Sequence, residues 1–264
     1  MQFGWHTAPI DTRAQVTALL HGLQRTLGDA LRGVVLHGSL AQGSFNPLRS
    51  DVDVLAVCAY ALDDDARRAL DALLIDVSLA PHPIEISIVR VDALPDWSHP
   101  APFEYHFGEV WRARAAAGAG CPPGRDPDLA AHFAMAHAHG IALLGPSPDS
   151  LLPNPPPHDV RDSILADVLS DEFGVPGLAA AARPSSVVLN ACRALAFGRT
   201  GRLLSKDEGG LWALLELPWR QSSITARALE KYRSGSDEPQ YSADEVRQFT
   251  GFMLPALRNM RADH

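Results

Sequence analysis

Asp51 and Asp53 are the residues from which a chemistry can be read. They stand in VVLHGSLAQGSFNPLRSDVDVLAV, residues 34–57, where a short apolar run, Val34–Leu36, ends in Gly38-Ser39. A loop with Gly43, Asn46 and Pro47 follows, and a second apolar run carries the two acids. In an extended strand residues i and i+2 point the same way, so the two carboxylates share one face, with Val52 and Val54 on the other. Carboxylates side by side repel, and strands are depleted in Asp, so a cation belongs between them. Mg²⁺, a hard ion that takes carboxylate and phosphate oxygens, meets that demand. Gly38 lets the backbone approach a ligand closely, and the Gly38-Ser39 amides and hydroxyl can hold phosphate oxygens. A hairpin with a polar turn and a solvated Asp pair is the plainer alternative.

A third acid has the right setting. Ile84-Glu85-Ile86-Ser87-Ile88-Val89 alternates cleanly, with three isoleucines on one face and Glu85 and Ser87 on the other. Alone, Glu85 fits a solvated position on a half-buried sheet. Aligned with the Asp pair, it can serve as general base and share the metal. Further on, Phe103, Tyr105, Phe107 and Trp111 are interleaved with Glu104, Glu109 and Arg112. Aromatics beside acids make a wall for a cationic ligand; they equally make the core contacts of an irregular segment.

The elements that must position these groups follow from periodicity and breakers. Residues 11–31 and 63–79 carry apolar stripes at helical spacing, on either side of the first two strands. Residues 95–124 are irregular. A helix over 128–144 starts at Asp126-Pro127-Asp128 and stops at Gly145-Pro146. Its His132, His137 and His139 lack the spacing of a metal pair and read as packing or surface histidines. The proline-rich 146–157 cannot propagate a helix and reads as a linker. Thereafter the pattern is helical: 159–173, 184–197 with Gly198 and Gly201 breaking it, a helix opened by Ser205-Lys206-Asp207-Glu208, one from Pro218 to Tyr232, and a last one opened by Ser242-Ala243-Asp244-Glu245. Both Ser-x-x-Glu tetrads are capping boxes, the second with Tyr241 and Val246 placed as a hydrophobic staple. The expected architecture is an α/β (α+β) domain with a mixed sheet over 1–157, followed by an all-α helical bundle over 158–264.

Composition narrows the partners. The 264 residues are 46% hydrophobic, enough for real cores, and carry a formal charge of −8 from 23 Lys+Arg against 31 Asp+Glu. No basic run supplies the positive footprint that nucleic acid requires, and an acidic surface suits a small cationic substrate. Three dispersed cysteines, Cys58, Cys121 and Cys192, indicate neither a disulfide framework nor a zinc site. No signal peptide or membrane span is legible, so a cytoplasmic protein without a membrane partner, acting as a monomer, is expected. No G-x-S-x-G elbow supports a serine hydrolase.

Glycine-serine, a loop and then D-x-D resembles the signature of the nucleotidyltransferase superfamily. The likeness extends to GSLAQGSFNPLRSDVDVLAV, PIEISIV, YHFGEVWR, RDPDLA, IALLGP, VVLNACRALAFGRTGRLLSKDEGGLWALLELP and ARALEKY. In this order they resemble the blocks of the aminoglycoside (3'')(9) adenylyltransferases, and LLSKDEGGLWALLELP is the most specific of them. The resemblance implies transfer of AMP from ATP, with Mg²⁺, to a hydroxyl of an aminoglycoside or aminocyclitol. It implies that Asp51, Asp53 and Glu85 hold the metal, with Glu85 also the base. Gly38, Ser39 and Ser50 would then meet the phosphates, and Asp128, Arg193, Lys206 and Tyr232 would belong to the nucleotide site, the last two from the second domain across a cleft. Glu85, Tyr105 and Trp111 would face the acceptor. Two departures bear on that acceptor. Streptomycin-using members have G-E-W where this chain reads Gly108-Glu109-Val110, with Trp111 one place later, and an acid where this chain has Arg183-Pro184-Ser185-Ser186. Spectinomycin is therefore the expected acceptor, although the Asp171-Glu172 insertion adds acidity nearby.

Overall fold

The β-branched and small apolar runs at Leu31–Leu36 and Val52–Cys58 form two antiparallel strands in the middle of a five-stranded mixed sheet. The computed structural model describes residues 2–171, 174–235 and 237–262. The chain divides into two compact units, Met1–Pro155 and Pro156–His264.

In the first unit the order is α1 (Ile10–Leu27), β1 (Leu31–Leu36), α2 (Gly38–Gln42), β2 (Val52–Cys58), α3 (Asp64–Val77), β3 (Ile84–Arg90), β4 (Ala101–Phe103), β5 (Tyr105–Phe107), α4 (Arg112–Ala116), β6 (Gly124–Asp126), α5 (Leu129–His139), β7 (Ile141–Leu144) and α6 (Pro148–Leu151). The sheet runs β5-β3-β2-β1-β7, and β2 and β3 are its parallel pair, joined through α3. Alternation then separates two faces. Val34, Leu36, Val54, Ala56, Ile84, Ile86 and Ile88 pack against α1 and α3, whereas Val35, Leu55, Val57 and Val89 pack against Leu129, Phe133 and Ala136 of α5. Asp53 and Glu85 belong to the second face by the same alternation.

Several expected boundaries move, each for a local reason. The first helix ends at Leu27 because Gly28 turns the backbone to φ +51°. The Gly38-Ser39 loop is one turn of helix, closed by Gly43 at φ +84°. The helix expected over 128–144 ends at His139, and Ile141–Leu144 forms a strand beside β1. At Gly140 a Cβ would lie 2.3 Å from the Ala136 carbonyl oxygen, so a glycine closes the helix. Within the expected linker, Pro148–Leu151 makes a short helix.

The second unit consists of α7 (Pro157–Val168), α8 (Pro184–Thr200), α9 (Lys206–Glu216), α10 (Trp219–Ser234) and α11 (Ala243–Ala262) around one apolar core that includes Val188, Leu189, Leu195, Ile224, Met253 and Leu257. Phe173, the expected end of its first helix, lies outside the described residues, as does Glu172 of the insertion. Gly198 does not break α8, which runs on to Gly201 at φ +69°; a Cβ at 198 would meet Met260, so this glycine admits α11. Both capping boxes are formed: Ser205 Oγ accepts from Glu208 N at 3.2 Å while Glu208 accepts from Ser205 N at 2.9 Å, and Ser242 and Glu245 do the same at 3.2 and 2.8 Å. Among the described residues no helix is long and apolar enough to cross a membrane. All three cysteines are buried thiols.

Candidate active site

The carboxylates are aligned by strand register. Asp53 of β2 pairs with Glu85 of β3 across the parallel ladder, so both side chains leave the same face at the same level. His37 N donates to Asp53 O at 3.0 Å, which adds the residue after β1 to the row. On the other side, Ile86 opposes Phe107 and Ser87 opposes His106, so the next pair in that antiparallel register is Glu85 with Gly108. One level of the sheet therefore reads His37, Asp53, Glu85, Gly108. Asp51 sits one residue ahead of β2, and Val52 N is held by Pro83 O at 2.8 Å. Asp51, Asp53 and Glu85 are all half-buried.

The glycine-serine turn is fitted to this row. Gly38 has φ +62°, and a Cβ there would come within 1.8 Å of Asp53 Oδ2. Only a residue without a side chain lets this backbone pass so close to the carboxylate. Gly38 and Ser39 open the helical turn, so their N–H groups are among those with no partner inside the helix. Ser50 is fixed in the loop ahead of Asp51: its Oγ accepts from Asn46 N at 3.0 Å and its N–H donates to Asn46 O at 2.8 Å.

Among the described residues, no three His, Cys, Asp or Glu side chains are gathered into a ready metal cage. The donor set nevertheless suits Mg²⁺, which takes hard oxygens and commonly uses one or two carboxylates together with substrate phosphates. Asp53 and Glu85 supply two such carboxylates, and Asp51 lies one residue ahead of β2.

Three histidines line the same face, and sequence reasoning passed over them as site residues. His37 is 3% exposed, and its ring lies 5.1 Å from that of His132 on α5. Burial pushes its pKa well below the ordinary 6.5, and His132 adds to the effect, so the ring is neutral at pH 7. Ser87 Oγ lies 2.9 Å from His106 Nδ1. Burial lowers the His106 pKa as well, with Glu85 and Asp126 pulling the other way. The only hint in the sequence is position, since His37 directly precedes Gly38 and His106 precedes Gly108 by two. Asp128 stands at the start of α5, its N–H donating to Asp126 Oδ1 at 2.8 Å.

Of the two readings of the aromatic cluster, core packing holds for Phe107 and for Tyr105, whose expected place facing the acceptor is corrected. Tyr105 is 1% exposed, lies in the core on the face opposite the carboxylates, and donates to Asp71 Oδ1 at 2.8 Å. Phe107 is fully buried in the same cluster. Trp111 is half-buried with the Arg114 guanidinium 4.9 Å from its ring centre, and its neighbour Val110 is 81% exposed. The acids are engaged by the chain's own groups. Glu109 accepts from Ser78 Oγ at 2.5 Å and Arg112 Nε at 2.6 Å, and Glu104 pairs with Arg67 at 3.0 Å.

In the helical unit, Lys206 is the first residue of α9, directly after the Ser205 cap. Gly209 and Gly210 bring α9 onto its neighbours: a Cβ at 209 would lie 2.6 Å from Arg193 Cβ, and one at 210 would lie 2.1 Å from Leu229 Cδ1. That packing explains the glycine pair in the KDEGGLW block. Tyr232 is 7% exposed in the helical core. At the start of α8, Ser185 N donates to Glu238 at 3.1 Å, and Glu238 also pairs with Lys231 at 3.7 Å.

Residues 150–256 match the family described as Aminoglycoside adenylyltransferase, C-terminal domain. An aminoglycoside (3'') (9) adenylyltransferase of Shigella flexneri is 30% identical over 249 residues, 92% of this chain and 94% of its own. A spectinomycin 9-adenylyltransferase of Staphylococcus aureus is 30% identical over 217 residues, 80% of this chain and 81% of its own. The fold is that of the spectinomycin adenyltransferase AAD(9) from Enterococcus faecialis, solved with ATP and spectinomycin, at a TM-score of 0.80, 21% identity, and coverage of 93% of this chain and 99% of that one. On the strength of identity maintained over nearly its whole length, the chain belongs to the aminoglycoside (3'')(9) adenylyltransferases, a family of nucleotidyltransferases.

Proposed function

We propose that this chain transfers AMP from ATP to a hydroxyl of an aminoglycoside or aminocyclitol, with spectinomycin preferred over streptomycin. The observation that carries the proposal is the alignment of Asp53 with Glu85 beneath the Gly38 turn. That arrangement offers carboxylate oxygens and backbone N–H groups to one triphosphate. In this assignment Asp51, Asp53 and Glu85 hold Mg²⁺, which when bound offsets charge on the phosphate oxygens. Gly38, Ser39 and Ser50 meet the phosphates, and Asp128, Arg193, Lys206 and Tyr232 serve the nucleotide, as the family resemblance assigns them. Glu85 takes the proton of the acceptor hydroxyl as that oxygen attacks the α-phosphorus. The bond from that phosphorus to the bridging oxygen breaks, and pyrophosphate leaves with the electron pair.

The acceptor class is carried in the names of the relatives, which speak of aminoglycosides and of spectinomycin. The preference for spectinomycin rests on the chain's own residues. A guanidinium substrate seeks an open aromatic face and an unspent acid. Here the Trp111 ring already carries Arg114, and Glu238 is shared between Ser185 N and Lys231. The test is expression in a susceptible host challenged with each drug separately, beside pyrophosphate release by the purified chain with each. Resistance to spectinomycin with little protection against streptomycin is the expected result. Equal protection refutes the preference, and no pyrophosphate with either drug refutes the activity.

A further inference from the structure

We propose that His106 is a positioning residue for Glu85, holding the carboxylate of the base toward the acceptor. The proposal rests on the assignment of Glu85 as base. His106 reaches the carboxylate face from β5, where it pairs with Ser87, two residues along β3 from Glu85 and on the same side of the strand. Ser87 is buried, and its hydroxyl, 2.9 Å from Nδ1, anchors the ring. The tautomer required is the one in which Ser87 Oγ donates to Nδ1 and the ring proton sits on Nε2, the atom that can then donate to a carboxylate.

Gly108 stands beside both groups. A Cβ there would lie 3.8 Å from His106 Nε2 and 4.0 Å from Glu85 Cγ. The ring nitrogen and the stem of the glutamate thus border the same position beside β5. Glu85 has several rotatable bonds, and a donor fixed by a strand on one side and a buried serine on the other restricts them. A base held near its productive geometry gains in turnover rather than in substrate affinity.

The experiment compares His106→Ala, His106→Asn, His106→Gln and Ser87→Ala with Glu85→Gln, measuring kcat and KM for AMP transfer from ATP to spectinomycin or streptomycin, whichever the unmodified chain accepts. His106→Asn keeps a partner for Ser87 but is too short to reach Glu85; His106→Gln is long enough to place an amide N–H near Nε2. Loss of kcat by about 10- to 100-fold is expected in the Ala and Asn variants, the range typical for groups that orient a ligating carboxylate. KM for ATP should stay within about threefold. The Gln variant should recover most of the loss, Ser87→Ala should show a smaller loss in kcat, and adding His106→Ala to Glu85→Gln should cost nothing more. If His106→Ala does not fold, the Asn and Gln pair decides the matter. Equal kcat in Asn, Gln and unmodified chains overturns the proposal, as does an additive loss in the double variant. A fully active Glu85→Gln, or a chain inert on both drugs, overturns the assignment of the base and this inference with it.

Discussion

Asp53 and Glu85 occupy the same level of two parallel strands that are separated in the chain by the whole of α3. Each acid alone is compatible with a solvated strand face; register makes them a pair. Opposed like charges destabilise a sheet unless something uses them. Removing a general base typically costs about 10²- to 10⁴-fold in rate. Glu85→Gln should lose AMP transfer on that scale while ATP still binds, read by equilibrium binding beside turnover. Asp53→Asn should lose turnover and weaken ATP binding in Mg²⁺ together. Unchanged turnover in either variant removes that residue from the chemistry.

Gly38 is bound to the same pair by sterics. With φ at +62° and Asp53 Oδ2 1.8 Å from where a Cβ would stand, Gly38→Ala meets both backbone strain and a collision. A non-glycine residue in this region costs about 1–3 kcal/mol. The expected result is a lower urea midpoint, and AMP transfer lost beyond what unfolding explains, because Asp53 must move. A variant with normal stability and activity would show that the turn opens freely.

Ser205 permits a cleaner test, confined to the helical unit. Its side chain caps α9 and its N–H is capped in return by Glu208. Ser205→Ala should lower stability by about 1 kcal/mol, seen as a shift in urea midpoint at unchanged slope. Since Lys206 follows the cap, a rise in KM for ATP alongside that shift would support its assignment to the nucleotide; a stability change with no change in KM would count against it.

Much of this was legible because local pattern and tertiary demand agree. The alternation of β3 and both Ser-x-x-Glu caps each specify one conformation, and each is formed, whereas of the D-x-D only Asp53 lies within β2 and Asp51 falls one residue ahead of it. Elsewhere the deciding partner is remote in sequence. Ile141–Leu144 continues the apolar run of α5, and a short apolar run suits either helix or strand until β1 offers an open edge. Tyr105 and Phe107 turn into the core because a three-residue strand pairs with β3, a signal too short to read from spacing. The histidines of the carboxylate face are hard to see for the same reason, since His106 gains its setting through Ser87, a partner that β-pairing brings to it, as well as through Phe103. Arg114 over Trp111 is a contact that an aromatic count cannot anticipate.

His82 gives the pH prediction its sign. It sits in the connection ahead of β3, 6% exposed, with Nε2 2.9 Å from Thr12 Oγ1 and its ring edge on Phe45 at 5.0 Å. Gln15 closes the arrangement, donating to His82 O at 2.6 Å and accepting from His82 N at 3.2 Å. Burial lowers the His82 pKa from 6.5, with Asp11 opposing. Above the unfolded value near 6.5 the ring is neutral in both states, and the contribution to stability is complete. Below it the unfolded chain takes up the proton first, so stability falls as pH drops toward the folded pKa. His37 acts with the same sign. The urea midpoint should therefore fall as pH is lowered from about 7.5 to about 5.5, across the ordinary histidine range. His82→Gln, which keeps an amide for Thr12 but cannot titrate, should flatten part of that fall while lowering the midpoint at the upper end. A slope identical to that of the unmodified chain would assign the acid sensitivity to other groups. Because Pro83 O holds Val52 N between the two aspartates, acid loosening of this connection should also slow AMP transfer before the chain unfolds globally.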